Sequence, residues 1–407
     1  MKPELRQNGG FIIMNRVKII HGKVITPYRL LDDACVIYED GIIKYAGTDE
    51  STAGEFETID AKGLYVSPGF IDIHSHGGGG HDFMDGTVDA FTGAAAKHAE
   101  HGTTAMVPTT LTSTLDELKN SLYIFKEAKK KEFDGAELLG LHLEGPYFSM
   151  SQKGAQDPRY IKNPAVEEYT KILSWSDDII RWSAAPELEG SMEFGRYLHK
   201  KGILASIAHS DAISSQVEEA FENGFTHVTH LYSGMSGVRR INAYRYGGII
   251  ESAYLIDEMT VEIIADGKHL PAELLKLIYK IKGPSRIALV TDSMRAAGMP
   301  EGESLMGSLN NGQKVIVEDG VAKLLDRTAF AGSVATTDRL VRTMVTLAGV
   351  PLTDAVRMMT STPASIIGVH GRKGALAPGM DADIVLFDEN IGVRMTIVGG
   401  RVVYKKV

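Results

Sequence analysis

A single cysteine, Cys35, stands in 407 residues. No intramolecular disulfide can form, and the composition suits a reducing compartment, with the cytoplasm as the default. No stretch approaches 18 uninterrupted apolar residues, and Met1 to Gly10 carry charge and glycine without a long apolar segment ahead of a small-residue cleavage site. Neither a membrane span nor a secretory leader is therefore expected. Positive charge is also in short supply: 43 Lys and Arg against 52 Asp and Glu give a net charge of -9. That balance argues against a nucleic-acid or anionic-membrane surface, while leaving room for local basic sites that take a small anion. Repeats and low-complexity tracts are missing as well. What remains is an ordinary globular composition, 43% hydrophobic and 23% charged, long enough for one large core and a second small one.

The two ends of the chain read as short strands. Runs such as Val17-Lys18-Ile19-Ile20, Lys23-Val24-Ile25, Ala34 to Tyr38 and Ile42 to Ala46 are separated by turn residues, Asp40-Gly41 among them, as antiparallel hairpins require. Ala382 to Phe387 and Arg394 to Val403 continue the pattern at the other end. Neither end has enough strands alone, so the two are expected to pair into one small β-sandwich, built from residues 1–67 and 375–407. Residues 1–13 read as an extension and are assigned no function.

Between 68 and 374 buried apolar runs alternate with helical patterns, the signal of parallel βα units. Eight runs read as strands: Gly69–His74, Thr104–Val107, Leu138–Leu143, Ile179–Ala184, Leu204–Ala208, His227–His230, Val261–Ile264 and Ile287–Val290. Helices are predicted at Val88–Glu100, Leu115–Lys131, Ala165–Trp175, Met192–Lys200, Ala212–Glu222 and Pro271–Ile281. The fold class is α/β, a (β/α)8 TIM barrel, whose reactive groups belong at the carboxyl ends of its strands. A doubly wound sheet is the structural rival, but the glycines Gly77 to Gly80 open no G-x-G-x-x-G helix.

Chemistry concentrates where that fold requires it. In Ile71-Asp72-Ile73-His74-Ser75-His76 the two-residue period of a strand points His74 and His76 at one spot. Later strands run into Glu144-Gly145-Pro146, His209-Ser210-Asp211, Thr229-His230, Asp266-Gly267-Lys268-His269 and Thr291-Asp292. Each alone has an ordinary explanation as a surface carboxylate, a helix cap or a hydrogen-bonded core histidine. In series they converge on one rim. Imidazoles (His74, His76, His209, His230) with carboxylates (Glu144, Asp292) and no thiolate favour a divalent metal, one or two per chain, in an open hydrolytic site: Zn(II), with Fe(II), Mn(II) or Co(II) as alternatives. Such a metal makes hydroxide available near neutral pH and polarises a carbonyl, and Asp292 is the carboxylate placed to carry the proton.

The H-x-H strand, Leu141-His142-Leu143-Glu144-Gly145-Pro146, Thr229-His230-Leu231-Tyr232, Ala265-Asp266-Gly267-Lys268-His269, Val290-Thr291-Asp292-Ser293-Met294 and the closing Gly374 to Asp383 together resemble the N-acetylglucosamine-6-phosphate deacetylases of the amidohydrolase superfamily. The resemblance spans nearly the whole chain. It implies removal of acetate from N-acetylglucosamine 6-phosphate to give glucosamine 6-phosphate, by hydroxide attack on the acetamide. It matches Glu144, His209 and His230 to the metal ligands, His74 and His76 to the pair found in two-metal members, and Asp292 to the catalytic base and acid. Gln156 and His269 match substrate-binding side chains, and Arg245 matches an arginine that reaches the sugar phosphate across a homodimer interface. Tyr232-Ser233-Gly234-Met235 departs from the usual Tyr-Asn-Ala-Met, leaving Ser233 and the Gly234 N–H at the phosphate end of the pocket. The alternatives are another N-acetylhexosamine 6-phosphate, a cyclic amidase or deaminase substrate, and, from another class, a barrel without catalysis that serves as a scaffold.

Overall fold

Apolar side chains at alternate positions drive the middle of the chain into eight parallel strands in the computed structural model, which describes residues 16–48 and 55–406. The extension expected at residues 1–13 lies outside them. The strands are β1 (Phe70–Ser75), β2 (Thr103–Thr110), β3 (Leu141–Glu144), β4 (Ile179–Ala184), β5 (Leu204–Ile207), β6 (Phe225–Val228), β7 (Thr260–Ile263) and β8 (Ile287–Leu289). Each pairs in parallel with the next. A helix follows every strand, from Val88–Ala99 after β1 to Thr337–Thr346 after β8. The first two helices are capped by Thr87 and Thr114, whose hydroxyls accept from the N–H groups of Ala90 and Glu117.

Among the described residues no backbone ladder joins β8 to β1. The seam is closed just past the strand ends instead: the Asp292 N–H donates to the His74 carbonyl (2.8 Å) and the Thr291 hydroxyl to buried Asp72 (2.5 Å). The (β/α)8 barrel is thus complete, with its last link at the rim where the ligand-type residues gather.

The two faces of the strands differ. Leu141, Leu143, Trp182, Ala184, Ala205, Ile207, Val261 and Ile263 pack into the core beneath the helices. The alternate positions of β3 to β7, facing the barrel interior, carry His142, Glu144, Arg181, Ser183, Ser206, His227 and Glu262, all buried. A barrel interior is commonly filled by branched apolar residues. Across β3 to β7 this one is instead a hydrogen-bonded polar plug, while Ile71, Ile73, Ala105, Val107 and Ala288 of β1, β2 and β8 belong, with Val290, to a buried apolar cluster.

The strands from both ends meet in one continuous mixed sheet. Ile384–Phe387 pairs antiparallel with Tyr65–Pro68, and the sheet runs on through Arg16–Ile25, Leu30–Glu39 and Ile42–Gly47. Val17, Ile19, Val36, Tyr38, Val66, Ile384, Leu386 and Ile397 form its own core. Asp40 and Gly41 both have positive φ (51° and 77°), the two-residue turn expected there. The hairpin expectation was too simple in one respect: Glu57–Asp60 and Tyr65–Pro68 both run parallel to Arg16–Ile25.

Several elements depart from the expected pattern. The third strand is shorter than expected, because Glu137–Leu138 bridges to β2 separately before the chain crosses to Leu141. A hairpin, Arg239–Ile241 with Tyr244–Tyr246, follows β6, and a three-stranded sheet, Gly302–Met306, Gln313–Glu318 and Val321–Leu324, follows β8. Their short, charge-bearing alternations read as loop, because the residues are half exposed.

Candidate active site

Every ligand-type residue predicted for the rim lies there. Glu144 ends β3, and His209, His230 and Asp292 sit two or three residues past the ends of β5, β6 and β8. All three of these have positive φ, 45°, 27° and 46°. Residues other than glycine rarely adopt that region, at a cost on the order of 1–3 kcal/mol each, and it turns each side chain from the strand direction into the barrel mouth.

Two groups share the centre. Glu144, His209 and His230 bring one ligand atom each to within 4.8 Å of one another, and so do His74, His76 and Asp292. Glu144 lies between the groups: Oε1 is 3.4 Å from His209 Nε2, 3.1 Å from His230 Nε2 and 3.6 Å from His74 Nε2, while Oε2 is 3.4 Å from His76 Nε2. Asp292 Oδ1 stands 3.4 Å from His74 Nε2 and 3.2 Å from His76 Nε2.

The outer ring nitrogens decide what these atoms are. His209 Nδ1 donates to the Gln152 carbonyl (2.8 Å), His76 Nδ1 to the Thr109 carbonyl (3.2 Å) and His74 Nδ1 to Glu262 (2.6 Å). A neutral imidazole with its proton on Nδ1 carries a lone pair on Nε2. With every ring neutral, three lone pairs would face two carboxylates in a buried centre, so the centre calls for a cation, supplied either by protons on the rings or by a metal. The donor set fits a divalent metal on that ground.

Charge follows the same logic. Burial would raise the Glu144 carboxyl, but the imidazoles of His74, His209, His230 and His76 around it hold it well below the usual carboxylate range. Burial likewise opposes ionisation of Asp292, and His74 and His76 outweigh it, so this carboxyl is lowered and stays charged. For His76 burial favours the neutral ring, yet Asp292 and Glu144 raise it well above 6.5. Carboxylates that attract a proton this strongly attract a metal cation by the same field.

A cleft of about 310 Å³ opens above the centre, lined by His76, Glu144, Gln156, His209, His230, Ser233, Gly234, His269 and Asp292, with Phe330 and Met294 on its apolar side. His269 is fixed by Asp266, which accepts from its Nδ1 (2.9 Å) and backbone N–H (2.9 Å), and its ring lies 4.7 Å from that of Phe330. Gln156 donates to Glu144 Oε2 (2.7 Å) and accepts from the Thr112 N–H (3.1 Å), so it is engaged with the centre as well as lining the cleft. Gly234 has a φ of 56°, and a Cβ there would stand 2.8 Å from His209 Nδ1 and 3.0 Å from the Gln152 carbonyl oxygen. A glycine at this position leaves the bond that orients His209 undisturbed. Arg245 is not brought to this cleft: it lies exposed on the hairpin, paired in register with Arg240.

Sequence reasoning missed Arg181 and Glu262, both fully buried. Their signal was there, a charge at an inward position of an apolar strand, in Ile-Ile-Arg-Trp-Ser-Ala and Thr-Val-Glu-Ile. Neither residue lies at a strand end, and the partner that explains each charge is far away in the chain.

Residues 65–403 match the amidohydrolase family. The chain is 33% identical over 393 residues to N-acetylglucosamine-6-phosphate deacetylase of Vibrio furnissii, covering 95% of this chain and 94% of that one. It is 32% identical over 380 residues to N-acetylgalactosamine-6-phosphate deacetylase of Escherichia coli O157:H7, covering 93% and 97%. Among solved structures, N-acetylglucosamine-6-phosphate deacetylase from Pasteurella multocida superposes with a TM-score of 0.89 at 27% identity, covering 96% of this chain and all of that one. A point mutant of the Mycobacterium smegmatis enzyme in complex with N-acetyl-D-glucosamine-6-phosphate gives 0.87 at 28%, with the same coverage. The chain belongs to the amidohydrolase family and, within it, to the N-acetylglucosamine-6-phosphate deacetylases.

Proposed function

We propose that this chain hydrolyses the acetamide of N-acetylglucosamine 6-phosphate, releasing acetate and glucosamine 6-phosphate. The observation that carries the reading is the convergence of Glu144, His209, His230 and charged Asp292 at the floor of one cleft. In this reading Glu144, His209 and His230 hold one divalent ion, and His74, His76 and Asp292 provide a second position. Zinc is the metal proposed, with iron, manganese or cobalt as substitutes of the same ligand chemistry. The ion, when bound, supplies a Lewis acid for the amide carbonyl and lowers the pKa of water near it.

The side chains do the rest. Asp292, held ionised, takes the proton from the attacking water and passes it to the amine as the C–N bond breaks. His269, fixed by Asp266, and Gln156 bind the sugar. Ser233 and the Gly234 N–H face the phosphate end, and Arg245 reaches the phosphate of the neighbouring subunit's substrate in a homodimer. Exposed Tyr244 and Val238 beside Arg245 support that last point, since an apolar edge around a free arginine suits a subunit interface. The barrel at 68–374, flanked by the parts at 1–67 and 375–407, and a cytoplasmic location complete the proposal.

A second reading has its own support. The E. coli O157:H7 relative named for the galactosamine substrate is almost as similar as the glucosamine ones, and Ser233-Gly234 alters the pocket's phosphate end. Acetate release from both N-acetylhexosamine 6-phosphates, after chelation and metal restoration, tests both readings. Turnover of the glucosamine compound is expected, and no metal-dependent release from either would overturn the proposal.

A further inference from the structure

Beneath the cleft one buried ion pair touches both ligand groups. Glu262 Oε1 accepts from His74 Nδ1 (2.6 Å) and from the backbone N–H of His230 (3.2 Å), while Oε2 accepts from Arg181 Nη1 (2.5 Å) and lies 3.3 Å from His227 Nε2. Arg181 extends the same pattern, donating to the Ile73 carbonyl (3.1 Å) and to the Thr229 hydroxyl (2.8 Å), the residues just before His74 and His230. Every one of these groups is at least nine-tenths buried.

We propose that Glu262, oriented by Arg181, is the positioning residue for both metal positions: it holds the proton of His74 on Nδ1, aims the His74 Nε2 lone pair at the centre, and anchors the backbone of His230. The inference rests on the metal reading of the site and goes beyond it. Its logic is directional. Two donor-only groups compete for an acceptor at position 262, the Arg181 guanidinium at 2.5 Å and the neutral His230 N–H at 3.2 Å, and the charged, shorter contact takes it. A carboxylate has a second acceptor left for His74. An amide does not: with its oxygen on Arg181, its NH2 faces His74 Nδ1, which must then accept, and the ring proton moves to Nε2 where a metal would bind.

Glu262→Gln is therefore expected to switch His74 to the Nε2–H tautomer, read by 15N–1H correlation spectra of histidine-labelled, metal-free protein, and to weaken metal binding about 10–100-fold in titrations of that protein. The double variant Arg181→Met/Glu262→Gln frees the amide to turn its oxygen back to His74, and the Nδ1–H tautomer and most of the affinity should return. Arg181→Met alone, comparably disruptive, keeps the carboxylate and should keep the tautomer, so it stands in if Glu262→Gln does not fold. Retention of the Nδ1–H tautomer in folded Glu262→Gln, or a folded double variant that stays in the Nε2–H form, overturns the proposal, and so does Arg181→Met adopting the Nε2–H form. Wild-type protein that binds no ion would instead defeat the metal reading, leaving the tautomer result to judge Glu262 by itself.

Discussion

Lys373 offers a stability prediction that can be worked through from its surroundings. Its side chain is only 1% exposed, and Nζ lies 2.5 Å from Asp383, 2.7 Å from Glu137 and 2.9 Å from Asp381. These three carboxylates lie close enough together to resemble a metal site, but the ammonium stands among them. Burial would lower the lysine's pKa, and Asp383 and Glu137 outweigh that and raise it, so it stays charged. Glu137 belongs to the barrel segment and Asp383 opens the strand that carries the chain into the end sheet, where it also accepts from the Gly399 N–H (2.8 Å). Lys373→Met keeps the volume and leaves Asp383 buried without its cation. Losing one partner of a buried pair costs about 3–5 kcal/mol. An unfolding entropy of roughly 2.1 cal/mol/K per residue, carried over the whole chain, gives about 0.85 kcal/mol/K, hence a fall in melting temperature of about 4–6 °C at neutral pH. Scanning calorimetry or dye-monitored melting should register it, with acetate release at 25 °C unchanged because the cleft is elsewhere. The deficit should shrink as pH falls, because burial raises the Asp383 carboxyl and, without its cation, it takes up a proton more readily. A shift under 1 °C at neutral pH would refute the reasoning.

Burial pushes His98 and His227 down from 6.5 to about 4. A base depressed in the folded state contributes stability that is present above 6.5 and lost as pH falls toward 4, on the order of 3 kcal/mol each. Asp72, raised by burial from 3.8 to about 6, works in the opposite direction across its own window and offsets part of the loss. Denaturant titrations should show the net decline between pH 6.5 and 4, and a flat profile would contradict it. Asp292→Asn should lower kcat by about 10²–10⁴-fold, while metal analysis still finds the ion held by Glu144, His209 and His230; unchanged turnover would remove Asp292 from the proton path. Arg245→Ala should raise KM for the sugar phosphate more than it lowers kcat. Mixing it with Asp292→Asn should restore part of the activity through hybrid dimers, whereas no recovery on mixing would place the arginine's role within its own subunit or nowhere.

The residues that reach the rim were legible because strand period and strand end together fix where a side chain points. His74 and His76 could be paired from spacing alone, and Glu144, His209, His230 and Asp292 from their place after apolar runs. The polar plug was not legible by the same rule, although Arg181 and Glu262 sit at alternating positions too. Charge in a strand interior has many explanations in sequence and one in space, which only the partner, two or three strands away, supplies. The sheet at 302–324 was missed for a different reason: its residues are half exposed, so apolar period, the signal used, is weak there. The ends were correctly joined, but their parallel pairings depend on which strand lies between, and no local pattern encodes that.

The seam between β8 and β1 has a consequence for how the protein is made. Strand β1 is synthesised early, yet Asp292 and Thr291, which close the ring against His74 and Asp72, emerge more than two hundred residues later. The strand at Ile384–Phe387 that clasps the segment leading into β1 comes later still. A growing chain on the ribosome thus displays two histidines long before it owns the carboxylate and the clasp that hold them in place. A fragment released before Thr291 and Asp292 would carry His74 and His76 without the seam that closes the ring against them.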